Sequence, residues 1–248
     1  MIVVEGVRGL RPEHGRLFLV LGVFDGLHRG HLYLLEQLRA AAEARGATPA
    51  VLTFDHHPDE VLTGSAPALL CDPAERLERL DAAGVGLTVV HHFDVETRMT
   101  PYDAFVRSIA ERIDLAGFLM TPESAFGYER GGTPAAVTAL GERLGFDVVV
   151  VPTLEVDGRP VRSADIRAAI ARGDLGTAAN LLGRPYALVG RLGSNGALTF
   201  PMPVALPPAG DYAVTFESRA STASVAPDGR VTLAGGFPGG PGARVVFG

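Results

Sequence analysis

Six of the seven histidines in this 248-residue chain fall in three short segments, Phe24–His31, Asp55–Asp59 and His91–Asp94; only His14 lies elsewhere. A scatter of histidines would not do this, so the clustering marks a site. The first segment is the sharpest. It reads Gly22-Val23-Phe24-Asp25-Gly26-Leu27-His28-Arg29-Gly30-His31 and leads from an apolar run into a helical stretch. Glycines at 22, 26 and 30 allow tight turning and close approach of a ligand to the backbone. His28 and His31, three apart, are expected to share a face of the helix's first turn. Free backbone N–H groups and the positive end of the helix dipole favour an anion there, and two imidazoles add directional donors to phosphate oxygens. A histidine pair that merely caps the helix is the plainer reading. A bare His-x-Gly-His should arise by chance in roughly two or three of 100 chains of this composition.

The elements that would position these residues are legible in outline. Short apolar runs at Leu17–Val23, Ala50–Phe54, Leu87–Val90, Ala116–Met120 and Val148–Val151 alternate with amphipathic stretches. Near-continuous hydrophobic runs of this length read as parallel strands buried on both faces. Helix starts are marked by Asp72-Pro73-Ala74-Glu75, Thr100-Pro101-Tyr102-Asp103 and Thr133-Pro134, each with a capping residue before proline. In the first two an acid follows as a capping box, and a helix from about Gly30 to Arg45 should stop at Gly46. The expected fold is α/β, a doubly wound parallel sheet over residues 1–184. Ligands of such sheets bind beyond the carboxyl ends of the strands, which adds Thr121–Gly132 and Arg159–Arg167 to the three histidine segments.

After Tyr186 the texture changes. Residues 185–248 hold 19 Gly plus Pro in 64 positions, with short runs at Ala187–Val189, Ala213–Phe216, Arg230–Leu233 and Arg244–Phe247. These read as antiparallel strands, with Asp228-Gly229 as a hairpin turn. The expectation for 185–248 is a small barrel or partial barrel, with Gly235–Gly242 as a mobile loop.

Composition excludes much. All 22 bases are Arg, against 28 acids and a net charge of −6. A chain without Lys has no Walker P-loop, no Schiff-base lysine and no Lys-activated serine. The acidic balance, with no basic tract, argues against a nucleic-acid-coating protein. Cys71 is the only cysteine, which rules out an intrachain disulfide and a cysteine-based zinc site. The N-terminus lacks the form of a signal peptide, and the longest apolar run, Leu17–Phe24, is too short to span a bilayer. A cytoplasmic protein without membrane contact is expected; no oligomeric state follows.

The run GVFDGLHRGHLYLL resembles the phosphate-binding signature of nucleotidylyltransferases, and more narrowly that of the bacterial bifunctional riboflavin kinase/FMN adenylyltransferase (FAD synthetase) family. Further segments agree in order. Thr53-Phe54-Asp55-His56-His57-Pro58 is similar to that family's TFDPHP, with His56 in place of the first proline. Phe126-Gly127 with Arg130 and Gly132 resembles DFxFGxxRxG, with Glu123 at the acidic position and Ser124 at its phenylalanine. Val161–Arg167 is similar to VSSTxIR, with Ala164 where the family has threonine, and Leu182–Tyr186 matches LGRPY. The resemblance covers about residues 16–190.

It implies transfer of the adenylyl group of ATP to the phosphate of FMN, giving FAD and pyrophosphate. An ionised phosphate nucleophile needs no general base, so catalysis would reduce to alignment and charge stabilisation. His28 and His31 would be the catalytic donors. ATP would lie on Gly22, Phe24, Asp25, Gly26 and Gly30, with Ser163 and Arg167 on its β and γ phosphates. Phe54, His57, Pro58, Glu123, Phe126 and Arg130 would line the flavin pocket. Mg²⁺ would ride on the ATP phosphates, with no metal held by the protein itself. His91-His92 reads as a solvated strand end, and Cys71 as a small buried residue.

The family's kinase barrel carries a GFPTAN segment. Here the stretch reads Thr199-Phe200-Pro201-Met202-Pro203-Val204, and neither Met202 nor Val204 can ligate Mg²⁺. Riboflavin kinase activity is therefore expected to be absent, the barrel truncated, and FMN supplied by a separate kinase. Two other readings compete: a nucleotidylyltransferase using CTP or another phosphate acceptor, and a flavin- or nucleotide-binding protein without catalysis.

Overall fold

A computed structural model describes residues 1–248. Six strands form one parallel sheet: β1 (Ile2–Glu5), β2 (Arg16–Leu21), β3 (Thr48–Phe54), β4 (Leu87–His91), β5 (Asp114–Met120) and β6 (Asp147–Val150). Their order is β1-β4-β3-β2-β5-β6, every pairing parallel. The five expected strands are present, and β1 is a sixth at the edge. Only Val4 of β1 is buried; its apolar run, Ile2-Val3-Val4, is shorter than that of the inner strands and exposed at the edge. Leu17, Leu19, Leu52, Val89 and Phe118 form the sheet's core with Val106, Ile109, Val137 and Leu140.

The helices follow the alternation: α1 (Arg29–Glu43), short α2 (Asp59–Thr63), α3 (Pro73–Ala82), short α4 (Val95–Met99), α5 (Tyr102–Ala110) and α6 (Pro134–Leu144). Gly46 closes α1 at φ +58°, as expected, with its N–H on the Glu43 carbonyl. Thr133 caps α6 by accepting the Ala136 N–H at 3.3 Å. One cap differs from expectation. Thr100 turns back to donate to the Glu96 carbonyl, leaving Pro101 at the N-cap of α5. Asp72 caps α3, accepting the Ala74 N–H at 2.8 Å and the Glu75 N–H at 3.4 Å, while Glu75 Oε1 also accepts from Arg244. A partner 169 residues away is invisible to local pattern.

A two-residue hairpin, β7 (Glu155–Val156) with β8 (Arg159–Pro160), precedes α7 (Ser163–Ala171) and α8 (Leu175–Leu182). Six antiparallel strands then follow: β9 (Ala187–Leu192), β10 (Ala197–Thr199), β11 (Gly210–Phe216), β12 (Arg219–Val225), β13 (Val231–Leu233) and β14 (Gly240–Phe247). They close into a barrel in the order β10-β13-β12-β11-β14-β9. Closure leaves no open edge for pairing. The turn at Asp228-Gly229 joins β12 to β13 with Gly229 at φ +81°. The Gly235–Gly242 stretch is not a free loop throughout: Phe237 is buried with its ring 4.7 Å from that of Phe216.

By packing, the chain divides into two compact units. The first comprises residues 1–24, 31–67 and 77–154; the second comprises 25–30, 68–76 and 155–248. The barrel strands thus share a unit with α7, α8 and two segments drawn from the first half of the sequence.

Candidate active site

In the second unit, the loop Asp25–Gly30 is held by side chains from three other segments. Asp25 is 3% exposed, and its carboxylate accepts the N–H groups of Leu70 at 3.0 Å and Cys71 at 3.3 Å. Arg167 Nη2 donates to the same carboxylate at 2.5 Å, while its Nε donates to the Ala68 carbonyl at 2.7 Å. Ser163, the first residue of α7, donates its hydroxyl to the Asp25 carbonyl at 3.3 Å. Arg184 donates to the carbonyls of Gly26 at 2.7 Å and Leu27 at 3.3 Å. At Gly26, φ is +76° and a Cβ would stand 2.9 Å from that of Leu70, so only glycine fits.

His28 lies at the end of this loop. Helix α1 starts at Arg29, so His28 precedes the helix instead of sharing its first turn with His31. It is 4% exposed, and burial together with the guanidinium groups of Arg184 and Arg167 lowers its pKa from 6.5 to about 4. The imidazole is therefore neutral at neutral pH, in a region where cationic side chains already favour an incoming anion. A Cβ on Gly30 would approach the His28 ring to 3.2 Å and the Val161 carbonyl to 3.3 Å. The absence of a side chain keeps this turn closed. Cys71 Sγ accepts the Gly26 N–H at 3.2 Å, and burial followed by the Asp25 charge pushes its thiol up to about 12. It is a structural thiol, not a nucleophile.

The first unit holds the other candidates at the carboxyl ends of its strands. Gly22 follows β2 and donates its N–H to the Leu52 carbonyl at 3.1 Å. Phe24, with φ +53°, is buried and its ring lies 5.0 Å from that of His31. Phe54 ends β3 inside the core, edge-on to Phe93 at 5.4 Å. Pro58 is the N-cap residue of α2, and His57 Nδ1 accepts the Asp59 N–H at 3.2 Å. After β5, Glu123, Phe126 and Arg130 share one loop. Arg130 donates to the Glu123 carbonyl at 3.2 Å, and Thr153 donates to the Glu123 carboxylate at 3.2 Å. Phe126 packs between Phe105 and Phe118 at about 6 Å and pairs its backbone with Gly132. Glu129 and Arg130, at φ +52° and +57°, give the loop its sharp bend.

Sequence reasoning missed Arg184 as a site residue, although the LGRPY match contained it. It also set aside His92. The register of β3 on β4 pairs Phe54 with His91, and His92 Nδ1 meets Asp55 Oδ2 at 2.6 Å.

A six-stranded parallel sheet with helices in its connections and polar loops at the carboxyl ends of its strands defines a Rossmann-like domain. Comparison with known proteins narrows this. The family model described as FAD synthetase matches residues 10–165, and the chain belongs to that family. It is 33% identical over 194 residues to the bifunctional riboflavin kinase/FMN adenylyltransferase of Pseudomonas fluorescens, covering 77% of this chain and 62% of that one. The Haemophilus influenzae protein of the same name is 32% identical over 191 residues, covering 75% and 62%. The chain thus aligns with about 62% of the length of these relatives. A crystal structure described as a macrolide-efflux protein from Streptococcus pneumoniae superposes with a TM-score of 0.79 at 23% identity, covering 99% of this chain and 88% of that one. That likeness is one of fold. No helix is long and apolar enough to cross a membrane.

Proposed function

We propose that this chain is an FMN adenylyltransferase. An oxygen of the FMN phosphate attacks the α-phosphorus of ATP, a new P–O bond forms, the bond to the β-phosphate oxygen breaks, and pyrophosphate leaves with FAD as product. The observation that carries this reading is the convergence of His28, Arg167, Arg184 and the start of α7 on one buried loop. Neutral His28 can donate one N–H to the charge that builds on the five-coordinate phosphorus. His31, in the first turn of α1, is the second donor of the reading.

Ser163 and Arg167 are assigned to the β and γ phosphates, and Gly22, Phe24, Asp25, Gly26 and Gly30 to the nucleotide. With no lysine in the chain, Arg supplies the protein's countercharge. Both oxygens of the Asp25 carboxylate already accept hydrogen bonds, so Asp25 does not suit a metal ligand. Mg²⁺ enters this reading as part of the MgATP substrate. The flavin side is assigned to Phe54, His57, Pro58, Glu123, Phe126 and Arg130, with Phe54 acting from within the core.

We further infer that the chain does not phosphorylate riboflavin and that its FMN comes from a separate kinase. Met202 and Val204 offer no oxygen to a metal, and the backbone around them is engaged: the Leu69 N–H donates to the Pro203 carbonyl and the Ala205 N–H to the Leu69 carbonyl, each at 2.8 Å. One assay tests both inferences. The purified chain with FMN and MgATP should yield FAD and pyrophosphate, whereas CTP should not replace ATP and riboflavin should not be converted to FMN. FMN that binds without conversion would leave a binding module in place of the enzyme.

A further inference from the structure

Two adjacent histidine pairs, His56-His57 and His91-His92, stand at the ends of neighbouring strands β3 and β4, and each pair divides its work. His57 and His91 turn to the backbone: His57 Nδ1 accepts the Asp59 N–H, and His91 Nδ1 accepts the Val7 N–H at 3.4 Å. His56 and His92 turn outward and meet at Asp55. His92 Nδ1 lies 2.6 Å from Asp55 Oδ2, and His56 Nδ1 lies 3.5 Å from Asp55 Oδ1. One ligand atom from each of the three residues lies within 4.8 Å of the others.

We propose that Asp55, His56 and His92 form a surface site for a borderline divalent transition-metal ion of the Zn²⁺ class. Two imidazoles and one carboxylate suit Zn²⁺, Co²⁺ or Ni²⁺ and are a poor set for Mg²⁺ or Ca²⁺, which prefer all-oxygen shells. Ligand atoms about 2.0 Å from a tetrahedral ion stand roughly 3.3 Å apart. The His56–Asp55 separation is already close to this; His92 must release its bond to Asp55 and retreat by under about 1 Å, and the widest separation in the trio, within 4.8 Å, must close to match. That movement is open to it, since the side chains of His56 and His92 are 50% and 66% exposed.

The backbone beneath is fixed. Phe54 pairs with His91 in register, the Asp55 N–H donates to the His91 carbonyl at 3.2 Å, and the His56 N–H holds Asp55 Oδ1 at 2.7 Å. Ligands on such ends are presented with little freedom to lose. Asp94 and Glu60 add negative charge near His92, which favours a cation. Three protein ligands leave a fourth position for water or an incoming oxygen donor. His56 occupies the position where the FAD synthetase pattern has proline, so the site is a feature of this chain and does not rest on the proposed adenylyl transfer. A bound ion would tie the end of β3 to the end of β4.

The test is binding by the full chain in the absence of nucleotide and flavin. Titration with Zn²⁺ by calorimetry should show one ion per chain, and Co²⁺ should give a visible band that Zn²⁺ abolishes and millimolar Mg²⁺ does not. His56→Ala and His92→Ala should each weaken Zn²⁺ at least about tenfold, as even indirect partners of metal ligands can; His14→Ala should change nothing. Far-UV circular dichroism checks that the variants fold, with His56→Gln as a second variant at an exposed position. Zn²⁺ affinity unchanged in both histidine variants, displacement by Mg²⁺, or no stoichiometric binding at all would overturn the site and leave a solvated strand end.

Discussion

The parallel sheet and the barrel solve the same burial problem with opposite sequence habits. Inner strands of the sheet are buried continuously, as in β2, where Leu17 to Val20 are all in the core. Polar residues are thereby driven to the strand ends, where they collect. Barrel strands alternate: in β11, Val214 and Phe216 point inward while Asp211, Ala213 and Thr215 are exposed. Their polar groups are spread along the strands, and much of what they make is local, such as Ser224 with Asp211 or Arg230 with Asp228. The exception is Arg244, which reaches buried Glu75 at 2.6 Å. Continuous burial leaves the sheet's polar residues one place to go, the strand ends, and that is where the proposed function puts the chemistry.

The sharpest way to break this contrast is activity. His28→Ala combined with His31→Ala should lower FAD formation by about 10³-fold or more, the scale of losing donors to a developing charge, with circular dichroism unchanged. Asp228→Ala on a barrel turn should leave the rate as it is. An equal loss from both would mean that the loops are not where the chemistry lies.

Stability separates the two ion pairs that reach a buried carboxylate. Arg167→Leu leaves the Asp25 carboxylate, 3% exposed, without its cation, at a cost of about 3–5 kcal/mol by urea denaturation. Arg244→Leu should cost clearly less, because Arg244 is 39% exposed and its pairing with Glu75 is screened by solvent. The reverse order would show that the barrel, not the loop cluster, depends on its charge pair.

His28 supplies a third measure. Its pKa falls from 6.5 unfolded to about 4 folded, so between these values the unfolded chain binds the extra proton. Stability from His28 is present above pH 6.5 and is lost as pH falls towards 4, on the order of 3 kcal/mol in all. His92, raised by its bond to Asp55, works in the opposite sense at the surface. Urea melts between pH 4 and 7 of His28→Asn in a His92→Ala background should therefore be flatter than those of His92→Ala alone. A persisting slope would place the titration elsewhere.

The inner strands and the boundaries of α1, α3 and α6 were legible because their signals are local: contiguous apolar runs, prolines at helix starts and glycine at the end of α1. What escaped was weakly patterned or distant in sequence. Strand β12, Arg-Ala-Ser-Thr-Ala-Ser-Val, buries only Ala223 and Val225, so small residues hid its alternation. β10 has three residues, too few for any period. In the site, the histidine segments were found but not their pairing, since His92 reaches Asp55 only through the register of β3 on β4. Arg184 lies 157 residues from the Leu27 carbonyl that it binds, and no spacing rule connects them.

The smallest effect tests whether the two compact units respond separately. Thr133 caps α6 from an exposed position in the first unit, and its hydroxyl accepts one N–H that the helix itself cannot satisfy. Thr133→Ala should cost about 1 kcal/mol, while Thr133→Ser should recover most of it, because serine keeps the acceptor. Asp174 makes the equivalent bond for α8 in the second unit, accepting the Thr177 N–H at 3.0 Å. If the units unfold independently, Thr133→Ala should lower the protection of amides in β5 and β6 against hydrogen exchange and leave those of β11 and β12 unchanged. Asp174→Ala should do the converse. Equal loss of protection in both strand sets from either substitution would make the sheet and the barrel one cooperative body, and their difference one of sequence habit alone.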